Sequence, residues 1–204
     1  FNAVIIKSTF DLVMSLFLLL LFSPILLLLC ILIKIKIGSS ILFIQKIVGY
    51  KGRTFKLIKF RTMLNVKKNE ELAQLDIDRM TIFGNFLRSS SLDELPGIIN
   101  LLKMDMSFVG PRPLLIEYLP LYSNEQMSKH DSMPGITDWA QVNGRNSISW
   151  QEKFKLDVWY INNRSFWLNI KILLMTIKKV FSREGVYHDK TSIMPVFTAN
   201  DDRE

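Results

Sequence analysis

Two adjacent carboxylates, Asp93 and Glu94, precede by about twenty residues an arginine, Arg112, that stands between two prolines. A carboxylate beside fixed positive charge can attack or ligate a phosphate group. Pro111 and Pro113 restrict the backbone around Arg112, and this would aim a guanidinium whose fork suits two phosphate oxygens. These residue types indicate phosphate chemistry, and a surface arginine in a proline turn is the structural alternative.

The same two carboxylates have a structural interpretation as helix caps. Ser91 with Glu94 three positions later matches a capping box, and Asp93 could instead be the N-cap, with Pro96 in the first turn. Either arrangement places the carboxylates at a helix N-terminus, whose positive dipole end favours ionised acids and phosphates. An isolated pair is structural more often than catalytic. Charged neighbours favour the catalytic interpretation here, namely Arg88, Lys103, Asp105 and Arg112.

A later polar run supplies groups suited to recognition. Gln141, Asn143 and Arg145 lie around the turn that Asn143 and Gly144 predict. Amide and guanidinium groups can bind a uracil, a sugar or a phosphate, and the pattern by itself does not choose among them. His130 and His188 have no partner pattern, so we expect both on the surface.

The elements that must position these groups begin with a membrane segment. Residues 12–33 are 22 uncharged residues bounded by Asp11 and Lys34. As a straight helix they would reach about 33 Å, which is enough for a hydrocarbon core of ~30 Å. A single transmembrane span is the simplest interpretation.

Two features favour a re-entrant helix instead, and the sequence leaves the two topologies about even. Pro24 lacks an N–H and its ring would clash with the carbonyl of Leu20, so the helix should bend, and Ser23 could bond the freed carbonyl. Positive residues flank both ends, with Lys7 before the segment and Lys34 after it. Retention of positive charge in the cytoplasm would hold both ends on one side.

The overall composition agrees with a membrane-bound protein. Of the 204 residues 49% are hydrophobic and the formal net charge is +7. A basic chain can serve nucleic acid, anionic lipid or phosphorylated substrates, and no nucleic-acid-binding motif is visible. Cys30 is the only cysteine, so no intramolecular disulfide forms, which fits a reducing cytosolic face.

The remaining chain predicts an α+β, mainly helical domain. Residues 39–45 and 54–63 read as a hairpin around a turn at 49–52, and 84–102 reads as helical with a start or break near Asp93. A polar connector covers 65–79, and Pro134-Gly135 predicts a turn. We therefore divide the chain into a membrane helix (1–36), a catalytic domain (37–184) and a loose C-terminal tail (185–204).

Two later segments, 150–161 and 165–181, have helical periodicity with apolar sides. In the second, the apolar side comprises Phe166, Ile170, Leu173, Leu174, Ile177 and Phe181. The structural interpretation of such a side is contact with a core, and the functional one is a helix lying on a bilayer with lysines at anionic headgroups. The nearby membrane segment makes the two interpretations about equally favoured.

An ordered set of short motifs resembles the bacterial sugar transferase family, the monotopic phosphoglycosyl transferases of the PglC type. The motifs are residues 10–12 (FDL), 23–24 (SP), 59–63 (KFRTM), 91–96 (SLDELP), 105–113 (DMSFVGPRP), 134–137 (PGIT) and 139–145 (WAQVNGR). Each motif is modest by itself, whereas the ordered set is highly specific. The resemblance covers about residues 10 to 183.

The resemblance implies a reaction and a site. Asp93 would attack the β-phosphate of a UDP-sugar, release UMP and form a covalent phosphosugar ester, which undecaprenyl phosphate then attacks. Mg²⁺ would bind through Asp93, and Glu94 would assist with the acceptor's proton. Phosphate-binding residues would be Lys59, Arg88, Arg112 and Arg145, and Asp157 stands where the family usually has an acid.

The resemblance further implies a re-entrant helix bent at Ser23 and Pro24, which anchors the enzyme at the cytoplasmic face of the bacterial inner membrane. The reaction would begin glycoconjugate assembly, including N-linked glycans, with anionic lipid and downstream glycosyltransferases as partners. A non-catalytic membrane adaptor with a basic face for lipid or a partner protein is the alternative function.

Four positions depart from the family pattern. Ile47 and Met133 stand where arginines are usual, and their loss could weaken substrate binding. Met104 and Asp138 stand where glycines are usual. If the glycine at 138 adopts positive φ in the family, Asp138 would be strained.

Overall fold

The structure is a computed structural model that describes residues 2–64, 79–144, 147–182 and 197–198, with the backbone alone for 2–4 and 181–182. Residues 65–78 of the predicted connector, Arg145, His188 and most of the predicted tail lie outside the described residues.

The architecture is mainly helical, as predicted, and contains two small sheets, of which only the hairpin was predicted. The helices are α1 (Asn2–Lys36), α2 (Ile82–Ser89), α3 (Ile98–Leu102), α4 (Asn124–Met127), α5 (Trp139–Asn143), α6 (Trp150–Asn163) and α7 (Phe166–Ser182). The strands are β1 (Leu42–Val48), β2 (Thr54–Phe60), β3 (Ser107–Val109) and β4 (Gly135–Thr137). Single 3₁₀ segments cover Tyr50–Gly52, Leu92–Gly97, Ile116–Leu121 and Ser128–Asp131.

Helix α1 contains the predicted membrane segment. Its stretch Ile5–Lys36 is long and apolar enough to cross a membrane, with a mean hydropathy of 3.2. The helix continues through Pro24, and the Oγ of Ser23 donates a 2.7 Å hydrogen bond to the carbonyl of Leu20. That carbonyl is the one from which Pro24 removes the helical donor. The predicted compensation by Ser23 is confirmed.

Both ends of α1 contact the rest of the chain. Near its start, Lys7 Nζ donates to the carbonyl of Val109 at 2.8 Å, and Asp11 accepts a 2.7 Å hydrogen bond from the hydroxyl of Ser107. Near its end, three apolar side chains pack in one cluster with Phe60 and Leu87, namely Leu29, Ile33 and Ile37. Between these ends the helix exposes a broad apolar surface that includes Val13, Phe17, Leu20, Leu21, Leu27 and Leu28.

The predicted hairpin is confirmed, with shifted ends. Strands β1 and β2 pair antiparallel from Leu42 opposite Phe60 to Val48 opposite Thr54. Asn100 on α3 is fully buried and binds the edge of β2: its Oδ1 accepts from the N–H of Ile58 at 3.0 Å. This hydrogen bond helps to hold the 82–102 segment, which contains both carboxylates, against the hairpin.

The turn predicted at Pro134-Gly135 is wrong, because Gly135 begins β4 and pairs in parallel with Ser107 of β3. The strands approach so closely that a Cβ atom at Gly110 or at Gly135 would collide with the backbone of the other segment. The role of both glycines is to permit close backbone contact between the two segments, and not to form a turn.

The two predicted later helices are confirmed as α6 and α7, and α7 packs differently from a core helix. Ile172 is its fully buried residue, against Val109 and Tyr160. Three members of the predicted apolar side, Phe166, Leu174 and Ile177, face outward instead and are 46 to 63% exposed. The neighbouring Trp167, which was not part of that prediction, is 76% exposed. This outward apolar face favours the bilayer interpretation over the core interpretation.

The surface prediction for His130 is wrong, and one residue of the predicted tail is buried. His130 is buried, and its Nδ1 lies 3.2 Å from the carbonyl oxygen of Gly49. Phe197, within the segment predicted as a loose tail, is only 2% exposed and packs with Tyr118 and Phe154. An apolar side chain in a segment without periodicity can still fill a gap in an aromatic cluster.

Candidate active site

The two carboxylates lie in the 3₁₀ segment Leu92–Gly97, between α2 and α3. Ser91 precedes this segment in the left-handed conformation, with φ 57°, and its side chain makes no capping hydrogen bond. Both capping interpretations are therefore wrong: Asp93 lies inside the segment, and Glu94 bonds to residues distant in sequence. The chain reversal at Ser91 presents the pair toward β2 instead of toward its own helix.

Three predicted cations surround the pair. Lys59 of β2 donates a 2.8 Å hydrogen bond to Oε1 of Glu94, and Arg112 approaches the same oxygen at 3.4 Å. Arg112 also donates to the side-chain oxygen of Gln141 on α5 at 3.2 Å. Arg88 is fixed by a 3.0 Å hydrogen bond from its Nε to the hydroxyl of Thr62. Segments far apart in sequence therefore converge on one charged centre.

The electrostatics of this centre suit a nucleophile. Burial, followed by the charge of Glu94, raises the pKa of Asp93 from 3.8 to about 6. Lys59, Arg88 and Arg112 oppose this shift by favouring the ionised form. Near pH 7 the Asp93 carboxylate is therefore mostly ionised yet poorly hydrated, and a poorly hydrated carboxylate is the more reactive form.

A cavity of about 230 Å³ opens beside the charged centre. Lys59, Glu94 and Arg112 line its polar part. Its other walls are apolar and aromatic and include Ile47, Leu115, Tyr118, Ile136 and Trp150. A cavity lined by both charged groups and aromatic rings fits a ligand that joins phosphate to ring systems.

The carboxylates of the site can be compared with those that the predicted Mg²⁺ would need. Among residues 2–64, 79–144, 147–182 and 197–198, no group of three or more His, Cys, Asp or Glu side chains could hold an ion by itself. Mg²⁺ is usually held by one or two carboxylates together with substrate phosphates. Asp93 and Glu94 fit that pattern, so these residues suit a Mg²⁺ ion that binds with a phosphorylated ligand.

A second charged cluster lies behind Arg112, and most of it was not predicted. Lys129 and Asp157 form a 2.8 Å ion pair whose side chains are 2% and 5% exposed. Burial and the charge of Asp157 raise the pKa of Asp138 to about 6. Burial and the charge of Arg112 lower the pKa of Lys153 to about 8. Asp157 was recognised only through the family pattern, and the other three depend on long-range packing.

Asp138 is not strained, contrary to expectation. Its φ of −144° is extended, and its carboxylate caps α5 by accepting a 2.6 Å hydrogen bond from the N–H of Gln141. The Asp-x-x-Gln spacing before a helical run was a readable capping signal. The strained departure is Met104, which has φ 58° at the end of α3.

The other predicted residues have different outcomes. Asn143 is exposed, and its amide donates to the carbonyl of Trp139 on its own helix, so it is not part of the charged centre. Arg145 lies outside the described residues. Ile47, at a position where an arginine is usual, is buried and lines the cavity, which lowers the positive charge available there.

Comparison with known proteins identifies the class. The bacterial sugar transferase family profile matches residues 2–183. The chain is 46% identical over 198 residues to a Bacillus subtilis (strain 168) protein named "Uncharacterized sugar transferase EpsL". This match covers 97% of this chain and 98% of that protein. This chain belongs to the bacterial sugar transferase family.

Two relatives carry names that describe a reaction. The chain is 35% identical over 199 residues to the "Undecaprenyl-phosphate galactose phosphotransferase" of Salmonella typhimurium. It is 36% identical over 193 residues to the "UDP-glucose:undecaprenyl-phosphate glucose-1-phosphate transferase" of Escherichia coli (strain K12). These matches cover 89% and 90% of this chain but 42% of each relative, so the chain spans less than half of their length.

Proposed function

We propose that this protein transfers a phosphosugar from a UDP-sugar to undecaprenyl phosphate and releases UMP, the first membrane step of glycoconjugate assembly. One observation carries the proposal: Asp93, with a pKa of about 6, interacts with three cations, and two of these, Lys59 and Arg112, line a cavity that also has aromatic walls. The names of the Salmonella and Escherichia relatives support the same general reaction. Enzymes that act later in assembly, including those of N-linked glycans, would use its product.

The first half-reaction is a displacement at the β-phosphorus of the donor. An oxygen of Asp93 forms a bond to this phosphorus while the bond to the bridging oxygen breaks, and UMP leaves with the electron pair. Lys59, Arg88 and Arg112 stabilise the negative charge on the phosphate oxygens. Mg²⁺, when held by Asp93 and the diphosphate, supplies further charge neutralisation.

The second half-reaction returns the enzyme to its starting state. A phosphate oxygen of undecaprenyl phosphate attacks the same phosphorus, and the Asp93 carboxylate leaves, which yields a sugar linked to the lipid through a diphosphate. Glu94, held by Lys59 at 2.8 Å, is placed to accept a proton from the acceptor if that phosphate arrives protonated. Asp93 thus splits one displacement between two bulky substrates into two separate ones.

The direct test is a UMP-release assay over a panel of UDP-sugars with Mg²⁺ and undecaprenyl phosphate. We expect the wild-type protein to release UMP, the Asp93→Asn variant to release none, and the exposed-carboxylate control Asp131→Asn to behave as wild type. Intact-protein mass spectrometry without acceptor should show one phosphosugar adduct on Asp93. Turnover by the Asp93→Asn variant, or an adduct on another residue, would refute the assignment of Asp93 as the nucleophile. Absence of UMP release by the wild-type protein would favour the alternative function, a non-catalytic membrane adaptor.

We also propose that α1 is re-entrant and that the domain lies on the cytoplasmic face. The support is that Lys7 and Asp11 contact β3, while Ile33 contacts the cluster of Phe60 and Leu87. A straight helix would separate Asp11 from Ile33 by about 33 Å, enough to place them on opposite sides of a bilayer. A bend near Pro24 would return both ends to one side.

Cysteine labelling tests this topology in intact membranes. In a Cys30→Ser background, Asn2→Cys and the catalytic-domain control Lys155→Cys should both be protected from an impermeant reagent applied at the periplasmic side. Labelling of Asn2→Cys from that side would show a spanning helix.

The outward face of α7 supports contact with anionic lipid. Trp167, Leu174 and Ile177 are exposed along one side, and Lys171 and Lys178 are exposed beside them. Apolar side chains could enter the headgroup boundary while the lysines contact lipid phosphates.

A further inference from the structure

Phe197 is a buried residue that the mechanism does not use. Its ring lies 5.6 Å from that of Tyr118, 5.7 Å from that of Trp150 and 5.0 Å from that of Phe154, measured between centroids. Its backbone N–H also donates to the hydroxyl of Tyr118 at 3.4 Å. A residue near the end of the chain therefore completes an aromatic cluster in the catalytic domain.

Two members of this cluster are also walls of the cavity. Tyr118 and Trp150 line it, together with the charged residues Lys59, Glu94 and Arg112. Their rings pack edge to face at 5.8 Å, and Phe197 contacts both while it is not among the lining residues. Phe197 therefore supports the two walls from the side away from the ligand space.

Removal of this support would loosen both walls. A void behind Tyr118 and Trp150 would allow alternative rotamers, because close packing is what limits a buried ring to one position. A ligand that stacks on these rings would then have to order them on binding, at a cost in affinity. The chemistry at Asp93 would be less affected, since the ring contacts of Phe197 among the described residues are with aromatic side chains such as Tyr118, Trp150 and Phe154.

We propose that Phe197 is a positioning residue for the donor pocket, and that its packing against Tyr118 and Trp150 thereby sets the affinity for the nucleotide sugar. The inference rests on the proposed function, because that function supplies the occupant of the cavity. It predicts an effect on donor binding and none on acceptor binding.

The experiment compares Phe197→Ala and Phe197→Leu in the full-length protein in detergent. For Phe197→Ala we expect the KM for the UDP-sugar and the Kd for UDP to rise about tenfold, with kcat and the KM for undecaprenyl phosphate within about twofold of wild type. Phe197→Leu should be intermediate, because it restores part of the packing. If Phe197→Ala does not fold, the donor KM of Phe197→Leu still tests the inference.

A stability-matched control separates positioning from general destabilisation. Ile172→Ala truncates a fully buried side chain in a different cluster, with Val109 and Tyr160, and should lower the Tm without raising the donor KM. An unchanged donor KM in both Phe197 variants, or an equal rise in Ile172→Ala, overturns this inference alone. Absence of UMP release and of UDP binding in wild type overturns the proposed function, and this inference with it.

Discussion

The Nζ atom of Lys59 lies 2.8 Å from Oε1 of Glu94, although 35 residues of chain separate them. The bond directs Glu94 away from its own backbone and toward β2. The charges of both residues act on Asp93: that of Glu94 raises the pKa of its carboxyl, and that of Lys59 lowers it.

The first prediction uses this opposition. Glu94→Gln removes a charge that raises the pKa of Asp93, so the acid limb of the kcat/KM profile should move to lower pH. Lys59→Met removes a charge that lowers it, so the limb should move to higher pH. Lys56→Met, on the exposed face of the same strand, should leave the limb unchanged. Movement of the limb in the same direction in both variants would contradict the assignment.

The second prediction concerns stability. The pKa of Asp93 is higher in the folded protein, about 6, than its ordinary value of 3.8, so ionisation opposes folding as the pH rises through this interval. Asp93→Asn should therefore increase the free energy of unfolding at pH 7.5, by about 3 kcal/mol, and the difference should vanish below pH ~4. Unfolding measured across this pH range checks it, and an Asn variant less stable than wild type at pH 7.5 would contradict it.

The third prediction concerns Met104, which has φ 58° after the last turn of α3. The N–H of Met104 bonds to the carbonyl of Leu101, and that of Asp105 to Asn100, a Schellman arrangement that favours glycine at 104. Met104→Gly should stabilise the protein by about 1 kcal/mol. Lys103→Gly, at a helical φ of −78°, should destabilise it, and the ranking of the two melting temperatures is the test.

The fourth prediction concerns the buried ion pair of Lys129 and Asp157. Lys129→Met or Asp157→Leu alone leaves one buried charged group without its partner and should cost about 3–5 kcal/mol. The double variant Lys129→Met with Asp157→Leu should recover much of that loss, because no unpaired charge remains. Additive losses in chemical denaturation would show that the two side chains do not act as a pair.

Local features of the fold were predictable from the sequence because they depend on near neighbours. The apolar length of α1, the bond from Ser23 to the Leu20 carbonyl and the β1–β2 hairpin each follow from residues a few positions apart. The three-residue parallel pair of β3 and β4 was not predictable, because its partners are 28 positions apart and are selected by close backbone contact at Gly110 and Gly135.

The candidate site shows the same division. Residue chemistry and the family motifs identified Asp93, Glu94, Lys59 and Arg112, which the structure brings together. Of the charged cluster behind Arg112 they identified only Asp157, through the family pattern. They did not identify Lys129, Asp138 and Lys153 as members, because this cluster forms only when α5 and α6 pack. Nor did they show which of two glycine-replacing residues has positive φ: the strain is at Met104 and not at Asp138.

Because α1 contacts β3 at one end and the hairpin cluster at the other, the membrane anchor is also part of the folded interior. A shortened protein that began at Ile37 would lose the packing of α1 against Phe60 and Leu87. It would also lose the hydrogen bond between the hydroxyl of Ser107 and Asp11. Such a truncation should aggregate instead of yielding a water-soluble transferase. Purification therefore requires an amphiphile that shields the middle of the helix while its two ends stay docked.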